Sequence, residues 1–257
     1  MLPLKDNIPT RRFPLITVAL IVINVAMFFG FQHAHWSGSG FAVDSRNTVE
    51  YAFIPYELTH PGKHCDTVGN DRIACEGQEG VSGTAPEQPN TFLTILTAMF
   101  MHGGLLHIGG NLLVLWIFGN TVEDAMGRIK FVGFYLLGGL AATLLQTAVE
   151  PSSTTPNLGA SGAIAAVLGG YALLYPRARV VTLIFIVFFI TVIELPALLV
   201  LGGWFLLQLL DAGSQPAGGG GVAYFAHIGG FLFGLLAIKL FARRAQDHYV
   251  EPRYPVY

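Results

Sequence analysis

Six apolar runs, set apart by polar loops, constrain what this chain can fold into more than any other feature. A helix needs about 20 apolar residues to cross the roughly 30 Å hydrocarbon core of a bilayer. Runs near that length fall at residues 14–31, 104–122, 131–149, 161–175, 180–210 and 222–242. Lipid offers no partner to backbone N–H and C=O groups, so each run is expected to be a helix that satisfies its own. Only 12% of the 257 residues are charged, about half the ~25% of a soluble domain, and mean hydropathy is +0.56. The expected fold is an all-α polytopic membrane bundle of six helices. A net charge of −2 gives no reason to expect a nucleic-acid partner.

The first run follows Lys5, Arg11 and Arg12, as the core of a signal peptide would. It is too long for one, and no Ala-x-Ala site follows, so it reads as an uncleaved anchor. A long loop at residues 32–90, rich in Gly, Pro, Asp and Glu, comes next. Six crossings put both termini on one side. With the N-terminus cytoplasmic, Arg46, Lys63 and Arg72 are the only basic residues left outside, of 14 in the chain. That bias agrees with the positive-inside rule and supports both count and orientation. The chain then divides into a cytoplasmic segment 1–13, a six-helix domain 14–242 and a cytoplasmic tail 243–257, with residues 218–221 a glycine loop before the last span. The compact length and lack of an obvious transit peptide point to a prokaryotic plasma membrane. No internal repeat of the transporter kind is visible.

Ionisable and polar groups at membrane depth are costly and default to functional hypotheses. They are His102, His107, Asn111, Ser161, Glu194 and His227. Ser161 opens the fourth run, within Asn157-Leu158-Gly159-Ala160-Ser161-Gly162. A serine there can be a helix N-cap, or a nucleophile whose flanking Gly159 and Gly162 admit a substrate backbone near the helix dipole. His227 precedes Gly230 by three and Gly234 by seven, so all three share one helix face. A GxxxG face packs at backbone distance against a neighbour. The imidazole therefore points at another helix, either as a hydrogen-bonding glue or as the base that activates Ser161. His107 and Asn111, four apart, share a face of the second span. They form an interhelical polar pair or the donors of an oxyanion site.

These residues resemble the rhomboid family of intramembrane serine proteases. The resemblance covers roughly residues 91–242. It rests on His102-x4-His107-x3-Asn111, Gly159-x-Ser161-Gly162 and Ala226-His227-x2-Gly230-x3-Gly234, in order on spans two, four and six. It implies a Ser161–His227 dyad without an acidic third member. It also implies an oxyanion site of His107, Asn111 and the Ser161 N–H, and cleavage of membrane-anchored proteins near the outer face. No cofactor or metal is implied. Glu123 looks like the family's glutamate at the end of the second span, a structural carboxylate. His102 looks like the histidine that ties the first loop to the core. The sequence departs at Ala165, where many rhomboids carry an aromatic residue against the imidazole. Tyr224 and Phe225 are conceivable substitutes, although neither lies on the Gly230 face.

Secondary features remain open at this level. Glu194-Leu195-Pro196 should kink the long fifth span, which suggests a substrate gate. Glu194 itself either caps the break, faces water, or is a buried acid with a role. Cys65 and Cys75 are a disulfide or two free thiols. Zinc on His60, His64, Cys65 and Cys75 fits no standard spacing. A non-catalytic binder of membrane helices and a transporter are the rival functions. A metalloprotease is set aside, because His102 and His107 are five apart with no glutamate between them.

Overall fold

The computed structural model describes residues 2–37, 40–68, 72–86, 88–186, 189–214 and 222–242. The glycine loop at 218–221 and the tail at 243–257 lie outside the described residues. A short strand β1 (Leu2–Asp6) precedes helix α1 (Leu15–Phe31). The long first loop follows, with hairpin β2 (His35–Ser37) and β3 (Gly40–Ala42), helices α2 (Ser45–Tyr51) and α3 (Pro55–Thr59), hairpin β4 (Cys65–Val68) and β5 (Arg72–Cys75), and helix α4 (Thr91–Ala98). The bundle continues with α5 (Leu105–Met126), α6 (Arg128–Val149), α7 (Ser161–Leu174), strands β6 (Arg179–Ile186) and β7 (Phe189–Pro196), α8 (Ala197–Ser214) and α9 (Tyr224–Phe241). Helices α5, α6, α8 and α9 are long and apolar enough to cross a membrane, while α1 and α7 are shorter apolar helices. The chain is a polytopic helical membrane protein.

Helix α7 is the hub. Every residue from Gly162 to Ala172 is buried, as expected of a helix that is apolar all round and so lacks a lipid-facing stripe. Its glycines and alanines let neighbours approach to backbone distance. A Cβ added at Gly169 would stand 2.1 Å from the Phe231 carbonyl oxygen of α9, and one at Gly138 of α6 would stand 2.4 Å from the Ala166 Cβ.

The fifth run departs from expectation. Its first half is not helix: β6 and β7 form an antiparallel hairpin, and β1 adds to β6 as a third strand. Val180, Val181, Thr182, Ile184, Ile190, Thr191, Val192 and Ile193 are β-branched, which favours a pleated strand over a helix. Glu194-Leu195-Pro196 is therefore the end of a strand, not a kink within a helix. Glu194 is exposed opposite Val181 rather than a buried acid.

Two carboxylates lock the N-terminal part of the chain to the bundle. Glu123 is 3% exposed. It accepts from the N–H of Ile16 at 3.0 Å, the N–H of Thr17 at 2.8 Å and the Thr17 hydroxyl at 2.8 Å. A carboxylate there meets the free N–H groups and positive dipole end of α1. The helix that Glu123 caps is α1 rather than its own. Replacing Glu123 with alanine should destabilise the protein by about 3 kcal/mol, because buried donors lose a charged acceptor. Thermal unfolding in detergent checks this, with Glu123→Gln falling between.

Asp6 is likewise buried, and its Oδ2 accepts from the hydroxyls of Thr121 and Tyr171, each at 2.9 Å. Burial raises its carboxyl above the usual range, and the two hydroxyls oppose that shift only in part. The sign follows from linkage. Below the unfolded pKa both states hold the proton and nothing is lost. As pH rises toward the folded value the unfolded chain releases its proton first, and native stability falls. Asp6→Asn should therefore gain stability over wild type at pH 7 and not at pH 3, by about 1.4 kcal/mol for each tenfold difference in proton affinity. Paired thermal melts at the two pH values read it.

Candidate active site

The loop leading into α7 is held from outside before it reaches Ser161. Phe53 and Asn157 exchange backbone hydrogen bonds, the Tyr56 N–H donates to the Ser153 carbonyl at 3.0 Å, and the Gly159 N–H donates to the Ala98 carbonyl at 2.8 Å. Gly159 has φ +130°, and a Cβ there would stand 2.9 Å from the His107 Nε2. A side chain at this position would thus be strained and would also strike the histidine.

Ser161 is the first residue of α7, with Ala160 at the cap. Its hydroxyl does not serve as an N-cap. It stands 2.7 Å from Nε2 of His227 on α9. The GxxxG face brings this about: Cβ atoms at Gly230 and Gly234 would stand 2.0 Å from the Gly162 carbonyl oxygen and 2.1 Å from that of Ala166. Gly162 is close-packed on its other side, where a Cβ would meet the Ala142 Cβ of α6 at 2.7 Å.

His107, Asn111, Gly159, Ser161, Gly162 and His227 all line one cavity of about 1420 Å³. Asn111 is buried, and its side-chain Nδ2 has no hydrogen-bond partner among the described residues. His102 lies just outside this group, with its ring edge-on to that of His107 at 5.1 Å. Its backbone makes the tie to the first loop: the His102 N–H donates to Gln32 Oε1 at 2.8 Å, and Gln32 Nε2 donates to the His102 carbonyl at 3.0 Å.

Three residues that the sequence reading passed over complete the surroundings. Gln208 of α8 places Oε1 2.6 Å from His227 Nδ1. Trp204, one turn earlier, sets its ring 5.8 Å from the imidazole at a tilt of 38°. Trp204 is the aromatic neighbour of His227, in place of Tyr224 or Phe225. Ala165 instead lies in the tight α7–α9 contact, 3.2 Å from where a Gly230 Cβ would be. Gln146 of α6 accepts from the Ala226 N–H at 3.1 Å and fixes the start of α9. The signal for Gln208 was a lone amide within Leu206-Leu207-Gln208-Leu209-Leu210, a polar group at membrane depth.

In the long first loop Cys65 and Cys75 form a disulfide across β4 and β5. Both sulfurs are thereby used, so the zinc arrangement with His60 and His64 loses its thiolate ligands. Nearby Glu57 is buried and accepts from the Cys65 N–H at 2.9 Å, and burial raises its carboxyl.

A bundle of apolar helices with a serine–histidine contact opening on a large cavity defines a polytopic membrane protein with an enzyme-like site. The Rhomboid domain matches residues 89–244, and the chain belongs to the rhomboid family. It is 29% identical over 152 residues to "Rhomboid protein 1, mitochondrial" of Saccharomyces cerevisiae, covering 56% of this chain and 40% of that protein. It is 29% identical over 145 residues to "Presenilin-associated rhomboid-like protein, mitochondrial" of Homo sapiens, covering 55% and 36%. With "RHOMBOID-like protein 5" of Arabidopsis thaliana it shares 27% over 169 residues, covering 62% and 47%. The chain thus matches less than half the length of these relatives. The first two names place those relatives in mitochondria, in contrast to the prokaryotic plasma membrane expected for this chain.

Proposed function

We propose that this protein is an intramembrane serine endopeptidase that cleaves membrane-anchored proteins in or near their transmembrane segment. The observation that carries this reading is the 2.7 Å contact between Ser161 Oγ and His227 Nε2 at the wall of the cavity. A serine hydroxyl becomes a competent nucleophile when an adjacent imidazole takes its proton. His227 removes the proton as Oγ bonds to the scissile carbonyl carbon. The developing oxyanion is held by the Ser161 N–H at the start of α7 and by the side chains of Asn111 and His107. One such donor is worth roughly 3–4 kcal/mol to the transition state. The imidazolium then gives its proton to the leaving amine. Water, activated by the same imidazole, attacks the acyl-enzyme and frees Ser161. The 14-residue α7 rises about 21 Å, short of the hydrocarbon core, which favours water entry above Ser161. The basic-residue bias favours cytoplasmic termini and a site open to the outer side.

The test is cleavage in liposomes of a single-pass reporter with small residues near the outer end of its span. Two fragments meeting at one peptide bond, seen by mass spectrometry with wild type and not with Ser161→Ala, are expected. An intact reporter across a panel of such sequences would count against protease activity.

A further inference from the structure

We propose that Gln208 is a positioning residue for the base: its amide oxygen holds the Nδ1–H of His227, so that the bare Nε2 faces Ser161. The proposal rests on reading Ser161 and His227 as nucleophile and base. A neutral imidazole carries one N–H, and the hydrogen bond made by one nitrogen decides the role of the other. Gln208 Oε1 lies 2.6 Å from Nδ1, and Ser161 Oγ lies 2.7 Å from Nε2. An acceptor at the first contact makes Nδ1 the donor and leaves the Nε2 lone pair for the serine proton. The other tautomer would set two lone pairs against each other at Nδ1 and point an N–H at the nucleophile, where it could take no proton.

The surroundings favour this assignment. Gln208 is buried at 8% exposure within the apolar stretch 206–210 of α8, a costly place for an amide without a partner. A neutral amide whose oxygen faces Nδ1 selects this tautomer without burying a charge, whereas a carboxylate would carry a desolvation penalty. Trp204 lies four residues earlier on the same face of α8 and limits the ring from a second direction. Both constraints come from α8, the least buried of the four long apolar helices. The orientation of the base is therefore tied to how closely α8 sits against α9. Among the described residues, the other polar groups near the imidazole are Ser161 from α7 and His107 from α5, the latter titratable.

Full-length wild type, Gln208→Leu and Gln208→Glu are compared in proteoliposomes, by kcat and KM on a single-pass reporter and by fluorophosphonate labelling rate across pH. Leucine keeps the volume and should lower kcat and labelling about 10²-fold at unchanged KM, the scale of a base in the wrong protonation state. Glutamate keeps an acceptor. It should recover most of that loss and move the acid limb of kcat/KM to higher pH, because a carboxylate stabilises the imidazolium. Wild-type kcat in Gln208→Leu would overturn the proposal. So would equal losses in both variants with an unmoved acid limb, the mark of packing alone. A wild type that neither labels nor cleaves would defeat the Ser161–His227 reading itself, which is a separate outcome.

Discussion

Ser161→Ala is expected to abolish proteolysis, by roughly 10⁶-fold in turnover, while leaving the fold intact. The size follows from the chemistry: without the hydroxyl there is no acyl-enzyme, and a catalytic serine and its base act as a unit. The intact fold follows from the structure. The hydroxyl makes no N-cap bond at α7, and its partner is His227. Thermal midpoints of wild type and variant should then differ by no more than about 4 °C, since one hydrogen bond is worth about 1 kcal/mol. His227→Ala should be comparably inert. Loss of turnover with loss of fold would instead point to a structural serine. Reporter cleavage and thermal unfolding on the same preparations separate the two.

Gly230→Ala is expected to impair both turnover and stability by a different route. Its new Cβ would sit 2.0 Å from the Gly162 carbonyl oxygen. That atom belongs to the backbone of α7 and cannot rotate away, so the helices must part. Overpacking of this kind costs about 1–3 kcal/mol in stability. The chemical cost is of similar size, because His227 lies on the same face less than one turn away. Separating α9 from α7 lengthens the Oγ–Nε2 contact, and a misplacement of about 1 Å can reduce rates by about 10²-fold. Gly234→Ala, facing the Ala166 carbonyl oxygen at 2.1 Å, should behave alike. Gly109→Ala, where nothing lies within 4 Å of the added Cβ, should leave turnover unchanged. A thermal midpoint lowered by several degrees, with turnover reduced about 10²-fold, is the expected pattern for the first two.

The helical class and the inward-facing side of the last helix were legible because each depends on a local rule. Apolar runs of bilayer length must satisfy their backbones internally, and His227, Gly230 and Gly234 share one face by helical spacing alone. Those rules turn His227 toward a neighbouring helix; that this neighbour is α7 was implied only by the rhomboid resemblance. The fifth run was misread because a largely apolar segment has little alternation to reveal a strand. Its β-branched content and its span were the available signs. Thirty-one residues as one helix would extend about 46 Å, well past the bilayer core. Gln208 and Trp204 escaped because they act through α8, whose neighbours no local spacing identifies. Glu123 was read as a structural carboxylate, yet its target on α1 lies 106 residues away in sequence. Long-range pairing of that kind leaves no local trace.

The most direct test of the central claim is reaction of the purified full-length protein with a fluorescent fluorophosphonate, beside Ser161→Ala and His227→Ala. A hydroxyl 2.7 Å from an imidazole Nε2 should be phosphonylated in wild type and in neither variant. The modified peptide should carry the label on Ser161 by mass spectrometry. Equal labelling of all three proteins, or a folded wild type that stays unlabelled, would contradict an activated Ser161–His227 pair.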